Sequence, residues 1–555
     1  MKKVRWKKLT ALLSALTLIV GMTGCGKGET ATPPANDNTG TPAVTAAAGE
    51  KAGEEAQGED TQGYPVNTDQ KLTVWSYIMT PNKAYTSYTE SPFHTGLAEN
   101  TGIEVEWIFP TSGTDPAQAF NLMLTSDKLP DIIIYNLVND ADQYMDENII
   151  RDLTGLLPEK APNYWKYLQE NPYYNKSVKT DTGRYYGFGT FREGEWNAAY
   201  TGPLVRKDWL EECGLEVPVT IAEFENVIRT FDDKYGAKFA FSIGRMNPGL
   251  AGAFGASGSF AKWTDELFYI DDNQKVQFSM ATANWKNYME QLNKWYMDGL
   301  IDTDSLTIDD AGMRTKALND KVGISITSMG QMTNWLADVQ SSGSSARWEG
   351  IQYPVINAGD VNMEIQMEDT SRASVGAITT SCDDSKVDIA LKWLDYFFSE
   401  EGFLYTNFGT EGETYTMVNG VPTYTDLIMK APEGTNEALD KYTCAQWQNI
   451  GIQATELVRQ KNNPTAVASV DIWLQNQDTK KHLFPSGVTR TSEESNEATI
   501  IINTLQTYVQ EMSLKFLTGE ESFDNFDKYL AALDSMGLQK LLEIQQAAYD
   551  RFLQR

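Results

Sequence analysis

From Leu72 onward the chain alternates strand-like and helix-like runs, and this rhythm restricts its architecture more than any other feature. Leu72-Thr-Val-Trp-Ser-Tyr77 and Ile103-Glu-Val-Glu-Trp-Ile-Phe109 show the period of two expected of strands with one face buried. Ile132-Ile-Ile-Tyr135, behind Leu129-Pro-Asp131, is continuously apolar, as in a strand covered on both faces. A helix over 117–126 starts at Asp115 and Pro116, and a weaker helical pattern covers 84–100. Strands alternating with helices predict an α/β fold on a mostly parallel, helix-covered sheet.

The pattern continues to the end of the chain. A helical stretch around 164–169 precedes a strand-like segment, Gly183–Phe188. Thr220 with Glu223 three residues on reads as a capping box that opens a helix. Helices over 285–298, 309–319 and 387–399 are interleaved with strands over 322–327 and 372–380. Helices over 498–517, 523–535 and 538–552 close the sequence. At 555 residues, without an internal repeat of 20–50 residues, the chain should divide into at least two lobes.

The first residues carry an address. Lys2, Lys3, Arg5, Lys7 and Lys8 form a basic region before the apolar run Leu9–Val20. A run of twelve residues is too short for an ordinary membrane span and fits a signal peptide. Gly21-Met22-Thr23-Gly24-Cys25 then resembles the lipobox of bacterial lipoproteins, with Cys25 as the lipidated residue and Met22 where leucine is usual. A plain secretory signal that happens to end in cysteine is the competing reading. Gly26–Gly63 holds no aromatic residue and no apolar face, so it reads as a disordered tether. A diacylated cysteine supplies two hydrocarbon chains, enough for stable anchoring.

Charge excludes several functions. The formal charge is −30, and cleavage before Cys25 makes it −35 by removing five cations and no acid. Such a polyanion repels phosphate backbones, which argues against nucleic acid. Two histidines, His94 and His482, cannot build a His-rich metal site, and no HExxH or CxxC occurs. Cys213, Cys382 and Cys444 are scattered and read as small buried hydrophobes. Catalytic templates are also missing: there is no GxSxG, Walker A or GxGxxG, and the SxxK at Ser259–Lys262 lacks its KTG and SDN companions. Asp302-x-Asp304 starts like a calcium loop but lacks the sixth-position glycine and twelfth-position glutamate. Acidic pairs are too many among 76 acids for any of them to point to a hydrolase.

Aromatic residues carry the better signal. Sugars offer flat C–H faces that pack on Trp and Tyr, while their hydroxyls need polar partners. Trp75 with Tyr77, Tyr135 with Asn136, Arg192 near Trp196, and Gln331 near Trp335 combine both beside predicted strand ends. Ligands of open α/β sheets sit at the carboxyl ends of strands. Most aromatics in any protein are nevertheless core. Arg192, Arg206 and Arg372 could meet an acidic sugar, or pair with the many carboxylates.

Short segments, in order along nearly the whole chain, resemble the extracellular solute-binding lipoproteins of bacterial ABC importers, family 1, and look most like the long LplA-like sugar-binding subgroup of Firmicutes. They are the lipobox at Cys25, Leu129-Pro-Asp131, Gly183-Arg-Tyr-Tyr-Gly187, Arg206-Lys-Asp-Trp-Leu210 with Gly214-Leu215 and Pro218, and Trp295–Asp304. Leu394-Asp-Tyr-Phe397, Gly409–Tyr415 and Ala547–Phe552 complete the series. The resemblance implies a two-lobed periplasmic-binding-protein-like α/β fold with interleaved lobes and a helical C-terminal region. Residues 1–24 would be signal and 25–70 the lipidated cysteine and linker. Residues 71–197 with 372–441 would form lobe 1, and 198–371 with 442–555 lobe 2.

The resemblance also implies ligand contacts at Glu411, Tyr415 and Trp263, and aromatics in the stretch holding Trp335, which lies further along than the family pattern has it. The expected ligand-binding set is therefore Trp75, Tyr77, Asn136, Arg192, Trp196, Trp263, Gln331, Trp335, Arg372, Glu411 and Tyr415, with no catalytic residue, cofactor or metal. The implied protein is a monomer, lipid-anchored on the extracellular face of a Gram-positive cell membrane. It would capture a carbohydrate, expected to be an oligosaccharide, between its lobes and pass it to importer permease subunits. Alternatives are a binder of a non-sugar solute such as a peptide, or a secreted glycan-active enzyme.

Overall fold

The computed structural model describes residues 63–76, 91–110, 114–194, 196, 199–241, 249–256, 267–363, 371–445 and 450–555. The signal, Cys25 and nearly all of the linker lie outside them. Fourteen strands occur among the described residues: β1 (Lys71–Ser76), β2 (Glu104–Ile108), β3 (Ile132–Asn136), β4 (Phe188–Arg192), β5 (Thr201–Arg206), β6 (Lys238–Phe241), β7 (Phe268–Ile270), β8 (Val276–Phe278), β9 (Val322–Ser328), β10 (Trp348–Gly350), β11 (Ser371–Ile378), β12 (Tyr415–Val418), β13 (Val421–Tyr424) and β14 (Gly451–Gln453).

Two sheets organise the fold. The first has the order β14-β4-β11-β3-β1-β2, the second β10-β5-β9-β6. Alternation along the strands supplies both faces of the first sheet. Leu72, Val74, Ile132 and Ile134 enter one core with Phe93, Tyr164, Leu391 and Leu394, under helices Pro92–Thr101, Pro162–Glu170 and Asp384–Tyr396. Trp75 and Ile133 point the other way, to Phe120 and Ala141 on helices Pro116–Leu124 and Ala141–Asp146. A strand covered on both faces has no polar side to show, which is why 132–134 reads as unbroken isoleucine.

The second sheet repeats the device. Val205 and Ile324 face a large core with helices Ile221–Tyr235, Ala283–Met297, Ser492–Thr518 and Leu538–Gln554. Leu204 and Val322 face Trp335, Trp348 and Trp473 in another core, which also takes in Phe408, Tyr415 and Leu457.

The first sheet is mostly parallel, as the strand–helix rhythm predicts, with β11 alone reversed, whereas the second sheet is mostly antiparallel. β11 runs antiparallel to both β3 and β4, and β5 antiparallel to β9 and β10. The reason is how the chain passes between sheets. Residues 193–200 lead from the carboxyl end of β4 into β5, and 351–370 lead from β10 into β11. Each crossing delivers its strand at the carboxyl edge of the other sheet, so the strand runs backward. The strand expected over Gly183–Phe188 starts only at Phe188, because Gly183, at φ 81°, closes a turn onto the Thr180 carbonyl at 2.9 Å.

The capping box forms as read. Glu223 N donates to Thr220 Oγ1 at 3.2 Å, and Thr220 N donates to Glu223 Oε2 at 2.9 Å. Thr220→Ala should lower stability by about 1 kcal/mol, seen as an earlier urea midpoint at unchanged slope. Glu225, on the same helix, accepts from Arg229 at 2.8 Å, Gln291 at 3.2 Å and Trp295 Nε1 at 2.9 Å, and also pairs with Lys294. Burial pushes its carboxyl up, but these donors outweigh burial and bring it from 4.5 to about 2. A carboxyl lowered on folding stabilises above its unfolded value and loses that contribution as pH falls through the folded one. Glu225→Gln should therefore flatten the stability curve between about pH 5 and 2, by on the order of 2–3 kcal/mol, in denaturant titrations across that range.

Candidate functional site

The two crossings bring the carboxyl edges of both sheets to the same chain segments. At the first sheet that edge holds Ser76, Asn136, Arg192 and Gln453, the last residues of β1, β3, β4 and β14. At the second it holds Phe241 and Ser328, beside Thr201 at the start of β5. Met329 N donates to the Tyr200 carbonyl at 2.9 Å, so the end of β9 is fastened to the crossing itself.

Described residues of the crossing after β4 are held by their neighbours. Glu193 N donates to the Gln453 carbonyl at 2.9 Å. The Glu193 carboxylate in turn accepts from Thr455 N at 2.9 Å, at the start of helix Thr455–Lys461, where an acid is favoured. Thr455 Oγ1 donates to the Glu193 carbonyl at 2.7 Å. Trp196 stands three residues further on, half-buried. Its Nε1 donates to Asp471 Oδ1 at 2.7 Å, and the Arg459 guanidinium lies over its ring at 4.2 Å. Arg459 also approaches Asp471 at 3.5 Å, so ring, cation and carboxylate brace one another.

Cations gather at this edge among the carboxylates Glu193 and Asp471. Arg192 is buried. Lys461, half-buried nearby, is pushed down to about 8 by burial, with Asp440 pulling it back up and Arg192 adding to the fall. An indole held at its edge and along one face, among charged donors, can do what a sugar site requires: offer an apolar plane with polar partners around it.

The other expected residues are distributed as follows. Asn136 is exposed at the end of β3, where its Oδ1 accepts from Val138 N at 3.3 Å. Gln331 lies in the first turn of helix Met329–Ser341, its N–H capped by Ser328 Oγ at 3.3 Å. Glu411 is exposed and bridges to Tyr415. Three aromatic rings are committed to packing. Trp75 meets Phe120 and Tyr135, Trp335 lies 4.7 Å from Trp348, and Tyr415 packs on Phe408. Each is less than 5% exposed, so in this arrangement none presents a face to a solute. Arg206 lies at the far end of β5, stacked on Trp209 at 4.1 Å and paired with Asp208 and Asp320. Tyr77, Trp263 and the Arg372 side chain fall outside the described residues.

Asp302 and Asp304, which begin like a calcium loop, both pair with Lys316, at 2.6 and 2.7 Å. Among the described residues Cys213, Cys382 and Cys444 form no disulfide, and the last two are buried. Sequence reasoning missed Arg459, Asp471, Gln453 and Lys461. Asp471 is 275 residues from the indole it holds, and no local signal marks it.

The family model described as bacterial extracellular solute-binding protein matches residues 81–402. The fructooligosaccharide ABC transporter substrate-binding protein FusA of Streptococcus pneumoniae serotype 4 is 23% identical over 332 residues, 57% of this chain and 59% of FusA. The chain thus spans less than two thirds of that relative. Lipoprotein LipO of Bacillus subtilis is 23% identical over 374 residues, 64% of this chain and 70% of LipO. Among solved structures, the alginate-binding protein AlgQ2 has a TM-score of 0.69 at 24% identity, covering 87% of this chain and 99% of its own. At that identity the likeness is one of fold, and it is the two-lobed α/β fold expected from the sequence. With the family model covering more than half its length, this chain belongs to the bacterial extracellular solute-binding proteins.

Proposed function

We propose that this protein is a lipid-anchored extracellular binding protein that captures an oligosaccharide between two lobes and delivers it to an ABC importer, without chemistry of its own. The observation that carries the reading is the braced indole of Trp196 on the segment that links the two sheets at their carboxyl edges. A solute that stacks there meets groups from both bodies, so it favours the conformation in which they come together. Residues 71–197 with 372–441 are assigned to one lobe and 198–371 with 442–555 to the other, except that β14 (Gly451–Gln453), with Cys444 and Ile450, goes with the first sheet and its core. Trp196, Arg192, Asn136, Gln331 and Glu411 are the proposed contacts, joined by Tyr77, Trp263 and Arg372. Anchoring through Cys25 is supported by the lipobox-like sequence and by a relative that is itself a lipoprotein. Relatives named as substrate-binding proteins support a role in binding rather than catalysis.

The test is a thermal-shift and calorimetric panel with fructooligosaccharides, alginate oligomers and short peptides. The first represents neutral sugars; the second meets the cations Arg192, Arg459 and Lys461. A solute at one hundred times its Kd stabilises by about 2.7 kcal/mol, and one of the sugar classes should do so. Binding confined to peptides would overturn the carbohydrate reading, and release of shortened glycan during incubation would overturn the binding-only reading.

A further inference from the structure

The two bodies meet a second time, outside the crossings. Asp181 follows Val178, which belongs to the first sheet's core. Arg551 and Arg555 stand on and just after helix Leu538–Gln554, which buries Leu541, Ala548, Tyr549 and Phe552 in the second sheet's core. The Asp181 carboxylate accepts from Arg551 and from Arg555, whose Nε lies at 3.1 Å. Arg551 turns its other edge to Glu494, at 2.9 and 2.5 Å. Arg555 Nη1 donates to the carbonyls of Lys176 at 3.2 Å, Gly487 at 2.8 Å, and Lys179, while Nη2 also reaches Thr489. One guanidinium thus grips 176–181 on one side and 487–489 on the other. The Arg555 side chain is 2% exposed and that of Asp181 is 9% exposed.

The surrounding contacts have the same bipartite form. Lys176 Nζ donates to the Leu553 carbonyl at 2.9 Å, and the Tyr173 and Phe552 rings meet edge to face. A Cβ on Gly487 would lie 2.5 Å from Ser177 Cα, so the two backbones approach as only glycine permits. Burial pushes the Asp140 carboxyl up, and Arg490 pulls it back.

We infer that Asp181, Arg551, Arg555 and Glu494 form a charged latch that holds the two bodies in the arrangement seen here and sets how readily they part. Paired and hydrogen-bonded charges of this kind bring little net stability, because their attraction is spent against desolvation. When the bodies separate, water returns to every member and the desolvation cost disappears. The latch therefore orients the two bodies strongly and still lets them open. Removing one partner is different: the remaining charges stay desolvated and unpaired as long as the bodies touch. The inference rests on the two-lobed reading and not on the solute's identity.

The test needs no solute, so failure to find a sugar leaves the latch standing, and the converse holds. Amide hydrogen exchange is followed on the full chain, native and with Asp181→Asn. Residues 173–181, 487–491 and 138–140 should exchange together at least about tenfold faster, with β1 and β9 unchanged. Arg555→Met, which removes the grip on both 176–181 and 487–489, should produce the same pattern. Unchanged exchange in all three segments would overturn the latch. So would acceleration restricted to 550–555, which is fraying of one helix end, or acceleration that reaches β1 and β9 equally in both variants.

Discussion

Trp196→Ala should weaken solute binding by about thirtyfold, or roughly 2 kcal/mol, the scale of an aromatic hot spot. The size of the effect follows from how the ring is held. Asp471 fixes its Nε1 at 2.7 Å and Arg459 covers one face, so little rotamer freedom remains to be lost when a sugar stacks on the other. Asp471→Ala should weaken binding less, by about threefold to tenfold, because it frees the ring without removing it. Titration calorimetry with the member of the panel that binds gives both values. If Trp196→Ala leaves Kd unchanged, the indole is a structural strut of the crossing, and the site must be sought elsewhere on the two carboxyl edges.

Trp473→Ala should be the most destabilising single truncation near the site, at about 3–5 kcal/mol. Its side chain is completely buried, and its Nε1 donates to the Pro203 carbonyl at 3.1 Å. The indole lies so close to Gly202 that a Cβ there would sit 2.5 Å from it. Gly202 itself has no side chain with which to refill the space. The same residue joins helix Pro464–Trp473, which carries Asp471, to the start of β5. Trp473→Ala should therefore lower the urea midpoint and also weaken solute binding, while Trp473→Phe recovers part of both. A loss under about 1 kcal/mol would mean that the helix settles onto β5 after truncation.

Features set by neighbours in sequence were legible. The strand β1, the unbroken isoleucines of β3 and the Thr220–Glu223 box each depend on a few adjacent side chains and form as read, although β1 is covered on both faces rather than one. The fold class was legible for the same reason. What failed was direction and facing. Nothing in Ser371–Ile378 says that the strand enters its sheet from the carboxyl edge, because that follows from a crossing begun 20 residues earlier. Trp335 sits close behind a strand end, as a ligand contact would, but its turn of helix faces Trp348. The site was half legible. Arg192 and Trp196 could be chosen because polar and aromatic residues follow a strand. Asp471 and Arg459 could not, because the packing of two helices, Thr455–Lys461 and Pro464–Trp473, brings them to residue 196, and no local signal marks Lys461 either.

The shared ownership of the first sheet has a consequence for how the chain acquires its structure. Its strands are drawn from 71–136, 188–192, 371–378 and 451–453, so its central strand β11 is supplied some 235 residues after its neighbour β3. Closing loops of that length places the entropic cost ahead of the contacts that compensate for it, which makes folding slow. Until β11 arrives, β3 and β4 present open edges flanked by isoleucine and phenylalanine, surfaces prone to pairing with other chains. The order of synthesis thus leaves a long interval in which the nascent protein depends on being kept apart from its own copies.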